Sequence, residues 1–282
     1  MYTLIAENQY GQQLELTHNP AYSVKSVLGI DPPDAIINTT RNAGQDGSVY
    51  NSAYMDNRTI TITLAINYPV ESNRIRLYQY FKSKFPVTLR YKNETRDVYI
   101  NGYVQSFQVA YFDKKETAQI TVFCPKPHFN HNGVVTENLS NIVSMFEFPF
   151  SIEDAGIPIS ELSIGHEQVM INLGDMDVGA LIRITASDEV VNPLIYNSTN
   201  NTVMKIMDTL QENDVVEINT RPGEKSIKKI SDGEVTNLIS KLSNNSSWFI
   251  LVPGVNILST IADSGSEFIN IDFEIIYQYE GV

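Results

Sequence analysis

The stretch from Arg58 to Ile66, Arg-Thr-Ile-Thr-Ile-Thr-Leu-Ala-Ile, constrains the fold more than any other. Ile60, Ile62, Leu64 and Ile66 recur at every second position, and Thr59, Thr61 and Thr63 fill the places between. Strand side chains alternate between faces, whereas a helix stripe needs spacings of three and four. The segment is therefore a half-buried β-strand. Similar runs of β-branched and aromatic residues, bounded by turn residues, predict strands at Val87–Tyr91, Asp97–Gln108, Ala118–Phe123, Val169–Asn172, Ala180–Thr185, Asp214–Asn219, Trp248–Val252 and Phe268–Tyr279. One segment departs from that period. Between Pro69 and Phe85, Ile75, Tyr78 and Phe81 fall three apart and Leu77 and Phe81 four apart, with Glu71 early and Lys82 and Lys84 late. This predicts an amphipathic helix at about 70–85, charged to match its dipole and packed on a sheet. A weaker helix candidate is Gly233–Leu242.

At 282 residues the chain exceeds one ordinary core, so two domains are expected. Phe123–Val135, FCPKPHFNHNGVV, carries two prolines and several Asn and Gly residues. It also marks a change in charge. Residues 1–126 hold 13 Lys/Arg against 11 Asp/Glu, a balance of +2, and residues 127–282 hold 7 against 22, a balance of −15. We place the domains at 1–130 and 131–282. An acidic second half repels phosphate, which argues against nucleic-acid binding there. No apolar run approaches the roughly 20 residues of a membrane helix, so membrane insertion is not expected. The start, MYTLIAENQYGQQ, reads as lacking a signal peptide. One cysteine, Cys124, excludes an intrachain disulfide and suits synthesis in a reducing cytosol.

Catalytic and metal signatures are thin. Cys124, His128 and His131 cluster in sequence, but zinc needs three or four ordered ligands, and two prolines intervene. His166 lacks the second histidine of a zincin motif. Asp175/Asp177 and Asp188/Glu189 are adjacent loop acids, more in keeping with a solvated surface than with a glycosidase pair. No cofactor is expected.

Several segments, taken in order, resemble the siphovirus tail component family, the distal tail proteins of long-tailed phages. They are Arg41-Asn-Ala-Gly-Gln-Asp-Gly-Ser-Val-Tyr50 followed by Arg58-Thr-Ile-Thr-Ile, the Asn73-Arg-x-x-Leu77 helix, and Phe123-Cys-Pro-Lys-Pro-His-Phe129. In the second half they are Phe148-Pro-Phe150, Ile171-Asn-Leu-Gly-Asp175, Asn192-Pro-Leu-Ile195, Asp214 to Thr220, Trp248 to Asn256 and Phe273 to Gly281. The resemblance implies a mainly β protein: an N-terminal β domain (split barrel or sandwich) with one packed helix, then a galectin-like β-sandwich. It implies no enzyme. It further implies a homo-hexameric ring in the virion's tail tip, made in the host cytoplasm. Such a ring joins the tail tube protein to the tail-associated hub protein, and DNA passes through it without specific binding. The outward C-terminal domains leave room for receptor-binding proteins. We expect the polar loop holding Arg41, Asp46 and Arg58 to contribute to the ring contact.

Trp248, the single tryptophan, tests the main alternative, a carbohydrate-binding module contacting the host cell wall. Trp248, Ile250 and Val252 would share one strand face, and Phe249 and Leu251 the other. Two apolar faces argue for a strand covered on both sides, so we assign Trp248, Phe249 and Leu251 to the core rather than to a sugar platform.

Overall fold

The computed structural model describes residues 2–140, 142–144, 160–162 and 167–282. The chain is mainly β and divides into two compact units. One comprises the residues up to Asn132 together with Gln278–Val282, and the other is Gly133–Tyr277.

The first unit is built from β1 (Thr3–Asn8), β2 (Gln13–Glu15), β3 (Tyr22–Leu28), β4 (Ala35–Thr40), β5 (Val49–Met55), β6 (Arg58–Ile66), α1 (Val70–Tyr80), β7 (Pro86–Lys92), β8 (Asp97–Ala110), β9 (Thr117–Cys124) and β10 (Phe129–His131). Its main sheet runs β2-β1-β7-β8-β9-β6-β3, with antiparallel neighbours. The alternation in β6 does what period two predicts. Ile60, Ile62, Leu64 and Ile66 are buried, and Ile62 lies opposite Ile120 of β9.

Helix α1 stops at Tyr80, short of the expected 85. Phe81 leaves helical geometry, Lys84 takes a positive φ, and its N–H bonds the Val104 carbonyl. That backbone bond turns the chain toward β7, and Lys82 and Lys84 fall beyond the last helical turn. The buried stripe also differs from the expected one. Asn73, Leu77 and Phe81, four apart, face the core, while Ile75 and Tyr78 point outward. Asn73 belongs there because its side-chain amide donates to Asn67 O and its own carbonyl accepts from the buried Tyr22 hydroxyl.

The second unit is a β-sandwich. One sheet orders the strands Val135–Ser140, Ile269–Ile275, Ala180–Ala186, Val215–Asn219, Ser226–Ser231 and Glu234–Asn237. The other orders Gln168–Asn172, Gly254–Ile261, Leu194–Asn197 and Thr202–Lys205. Ile182, Ile184, Ile218, Ile271 and Phe273 on the first and Met170, Ile195, Met204 and Leu258 on the second are all buried. The helix expected at Gly233–Leu242 is instead a strand, Glu234–Asn237, and one 3-10 turn, Ile239–Lys241. Gly233 and Asp232 both have positive φ, forming a tight turn that returns the chain antiparallel beside Ser226–Ser231.

The last residues return to the first unit. Gln278–Tyr279 pairs with β10 in the register Phe129↔Tyr279 and Asn130↔Gln278, and β10 also pairs with β8. The chain therefore leaves for the sandwich and comes back through one antiparallel strand pair.

Candidate assembly surface

Among the described residues strands β4 and β5 pair only with each other, and every residue in them except Met55 is exposed. Ile36 lies opposite Tyr54 and Ile37 opposite Ala53. Paired residues share a face and sequence neighbours alternate, so both faces of this hairpin carry apolar side chains. Ile37 is 62% and Tyr50 63% exposed. The strands contain no charged residue. Asn51 Nδ2 donates to Thr40 Oγ1 at 2.6 Å and Asn38 Nδ2 to Ser52 Oγ at 3.1 Å, which ties the two strands together. An isolated two-stranded hairpin is marginal in water, so this one is suited to rest on another surface. Arg41 and Asp46 sit exposed in its tip, where Gly44 and Gly47 take φ of +81° and +90°.

Arg58 is not part of that exposed surface, and the sequence expectation is corrected here. It is 3% exposed and opens β6. Its guanidinium Nε donates to Pro127 O at 2.6 Å, and Nη1 donates to Gly29 O and Asp31 O, each at 2.9 Å. Nη2 donates to Glu280 O, and the cation lies 4.8 Å from the Phe129 ring centroid. Burial lowers its pKa, opposed by Cys124, Asp31 and Glu280. A planar five-donor group can satisfy four carbonyls from three separate segments at once, which a lysine cannot. Arg58 therefore holds the first unit together. Arg96 assists by donating to Gly281 O and lying over the Tyr279 ring.

Near this clamp, Cys124 is fully buried, and burial pushes its thiol pKa up to about 11 despite the nearby Arg58. The His128 pKa is held low by burial, with Glu280 opposing and Arg58 reinforcing, and its Nε2 has no hydrogen-bond partner among the described residues. Among the described residues no three His, Cys, Asp or Glu converge to hold a metal, and Cys124, His128 and His131 do not form such a group. Asp175, Asp177, Asp188 and Glu189 are exposed on loops. His166 and the Phe148-Pro-Phe150 segment lie outside the described residues.

A groove of about 820 Å³ opens in the first unit. Tyr22, Val24 and Val27 of β3 line it, as do Tyr2, Leu4 and Tyr91, with His18 and Val282. No Asp, Glu, Lys or Arg lines it. β3 is the terminal strand of its sheet.

In the second unit Phe249 and Leu251 are fully buried, and Phe249 packs on Phe273 with ring centroids 5.6 Å apart. Trp248 is only part-buried, which corrects its assignment to the core. Residues 248–252 form no ladder; a single bridge joins Leu251 to Val178. Only one side of the segment is fully covered, and the Lys225 ammonium lies 5.1 Å from the Trp248 ring centroid. The turn after it is closed by buried Asn256, whose side chain bonds both the N–H and the carbonyl of Val252. Sequence reasoning also missed a buried ion pair: Asp214, with a side chain 4% exposed, meets Lys229 Nζ at 2.8 Å. The signal was present, since an acid opening an apolar strand needs a partner if buried.

The family described as phage tail protein RIFT-related domain matches residues 10–124. The one described as siphovirus-type tail component, C-terminal domain, matches residues 173–277. No curated protein matches the sequence. Among solved structures, the chain is similar to the SPP1 Dit (gp 19.1) protein, described as a paradigm of the hub adsorption apparatus in phages infecting Gram-positive bacteria. The TM-score is 0.67 at 14% identity, covering 98% of this chain and 99% of that one, a likeness of fold. A chain of the phage P2 baseplate in its activated conformation with calcium is also similar, at TM-score 0.48 and 11% identity over 100% of both chains. With two phage-tail domains succeeding each other along one chain, this protein belongs to the siphovirus tail component family, the distal tail proteins of long-tailed phages, and is a structural component of the phage tail.

Proposed function

We propose that this chain is the ring-forming connector of the tail tip. Six copies close through their first units, join the tail tube protein to the tail-associated hub protein, and leave a passage for DNA without binding it specifically. The C-terminal sandwich serves as an anchoring place for receptor-binding proteins. The protein supplies shape and contact area and makes no bonds. The observation that carries this reading is the β4–β5 hairpin, an uncharged two-stranded arm with apolar residues on both faces. Such an arm is stable when a neighbour covers it, and head-to-tail contacts of this kind close into rings. Arg41 and Asp46, at its tip, are placed to set the contact's register. Trp248 lends the carbohydrate alternative little support, since an ammonium group already lies over its ring.

Sedimentation of the purified chain, alone and with the tube and hub proteins, tests the proposal. A species of six subunits is expected, and replacing residues 35–55 with a short Gly-Ser turn should reduce it to monomers. A native chain that stays monomeric in both settings would refute it.

A further inference from the structure

We propose that the groove walled by β3 is the receptor for the β4–β5 hairpin of a second copy of this chain. This deepens the ring reading and rests on it. Three features of the first unit lead there. β3 ends its sheet: its ladder to β6 uses one side of the strand, and no described strand pairs with the other. An open strand edge is a template for an added strand. The groove beside it is lined by tyrosines and aliphatic side chains together with Thr17, His18, Ser23 and Asn93, and carries no Asp, Glu, Lys or Arg. The hairpin strands are likewise free of those residues and expose Ile36, Ile37, Val49, Tyr50 and Tyr54. Burying this arm in a groove free of Asp, Glu, Lys and Arg removes apolar area from water and strands no carboxylate, ammonium or guanidinium side chain.

The hairpin does not cover its own groove. Among the described residues it pairs with nothing but itself and remains exposed, and none of its residues lines the groove. The chain thus carries a donor and an acceptor that do not satisfy each other. Two different patches that complement each other between copies make a head-to-tail interface, the kind that propagates around a ring. Lys25, the one charge on β3, is exposed and compatible with a strand kept from indiscriminate pairing until the right arm arrives.

Complementation tests the assignment. A donor-less chain has residues 35–55 replaced by a Gly-Ser turn. An acceptor-blocked chain carries Val27→Arg, with its fold checked by circular dichroism. Each alone should remain a monomer. Mixed one to one, they should form a dimer and nothing larger, because one partner can only receive and the other only donate. Mass photometry would then show one species slightly below twice the 31.7 kDa mass of the full chain, because the donor-less partner is shorter. Independently, Tyr50→Cys combined with Lys25→Cys or Ser26→Cys, all at exposed positions, should give oxidised multimers that the donor-less background abolishes. The acceptor is wrong if Val27→Arg still builds native rings, if the mixture stays monomeric, or if rings form but neither cysteine pair links. The last result would leave the ring standing. A native chain that never self-associates, even with tube and hub proteins, would overturn both readings. Should Val27→Arg misfold, the cysteine pairs carry the decision.

Discussion

Removing the Arg58 side chain should loosen the first unit and leave the second nearly untouched. Arg58 donates four hydrogen bonds, to Gly29, Asp31, Pro127 and Glu280, and stacks on Phe129. Bonds from a charged donor are worth roughly 1.5–3 kcal/mol each, but burying the cation costs several kcal/mol of lost hydration. Arg58→Ala reverses both terms and leaves carbonyls behind that lack a partner, so the net loss should be about 3–5 kcal/mol. For a unit of this size that is a drop of roughly 10–17 °C in Tm. Arg58→Lys keeps the charge but not the fork, and should lose about half as much. The assay uses the tryptophan's location. Trp248 lies in the second unit, so its fluorescence follows that unit while hydrogen exchange at residues 278–282 follows the clamp. In Arg58→Ala those tail amides should exchange at least 100-fold faster, as expected from about 3 kcal/mol, and the Trp248 transition should scarcely move. The reasoning fails if stability changes by less than about 1 kcal/mol with tail exchange unaltered, or if the two units shift equally.

Because Cys124 is held protonated to about pH 11 in the fold, its contribution to stability is complete below the unfolded thiol pKa of about 8.5 and fades as pH rises toward 11. Native protein should resist thiol reagents at pH 8, and Cys124→Ser should flatten the alkaline limb of the stability curve. At Asp214, burial disfavours the charge, but bonds from Lys229, Ser231 and the Gln211 N–H outweigh it and hold the pKa below the usual range. That support is present above the unfolded carboxylate pKa near 3.9 and is lost as pH falls through the folded value. Lys229→Ala should cost about 3 kcal/mol by leaving Asp214 buried without its cation. Chemical denaturation followed by Trp248 emission would show it, and a loss below about 1 kcal/mol would mean that the site rehydrates.

What could be read from the sequence was what is local. The two-residue period of Arg58–Ile66 fixed a strand because each side chain's face depends only on its neighbours. The ends of α1 were harder, since Lys84 stops the helix by reaching Val104, 20 positions away. Arg58 shows the same limit at the site. A lone arginine opening a strand looks like a solvated one, and only carbonyls from residues 29, 31, 127 and 280 reveal otherwise. Gly233–Leu242 had helical spacing, yet positive φ at Asp232 and Gly233 imposed a turn. The exposed tip with Arg41 and Asp46 was legible through its glycines and polar residues, but the groove is made by β1, β3 and β7 together and has no linear signature.

The paired strands β10 and Gln278–Tyr279 have a bearing on how such proteins can diversify. Departure and return lie side by side, about 5 Å apart as neighbouring strands must be. To the half that carries the hairpin, the sandwich is an insertion between two adjacent chain ends. A module of another size, or one bearing extra loops, could be grafted there provided its own termini meet at that distance. Change in the sandwich could then proceed without retuning the first unit.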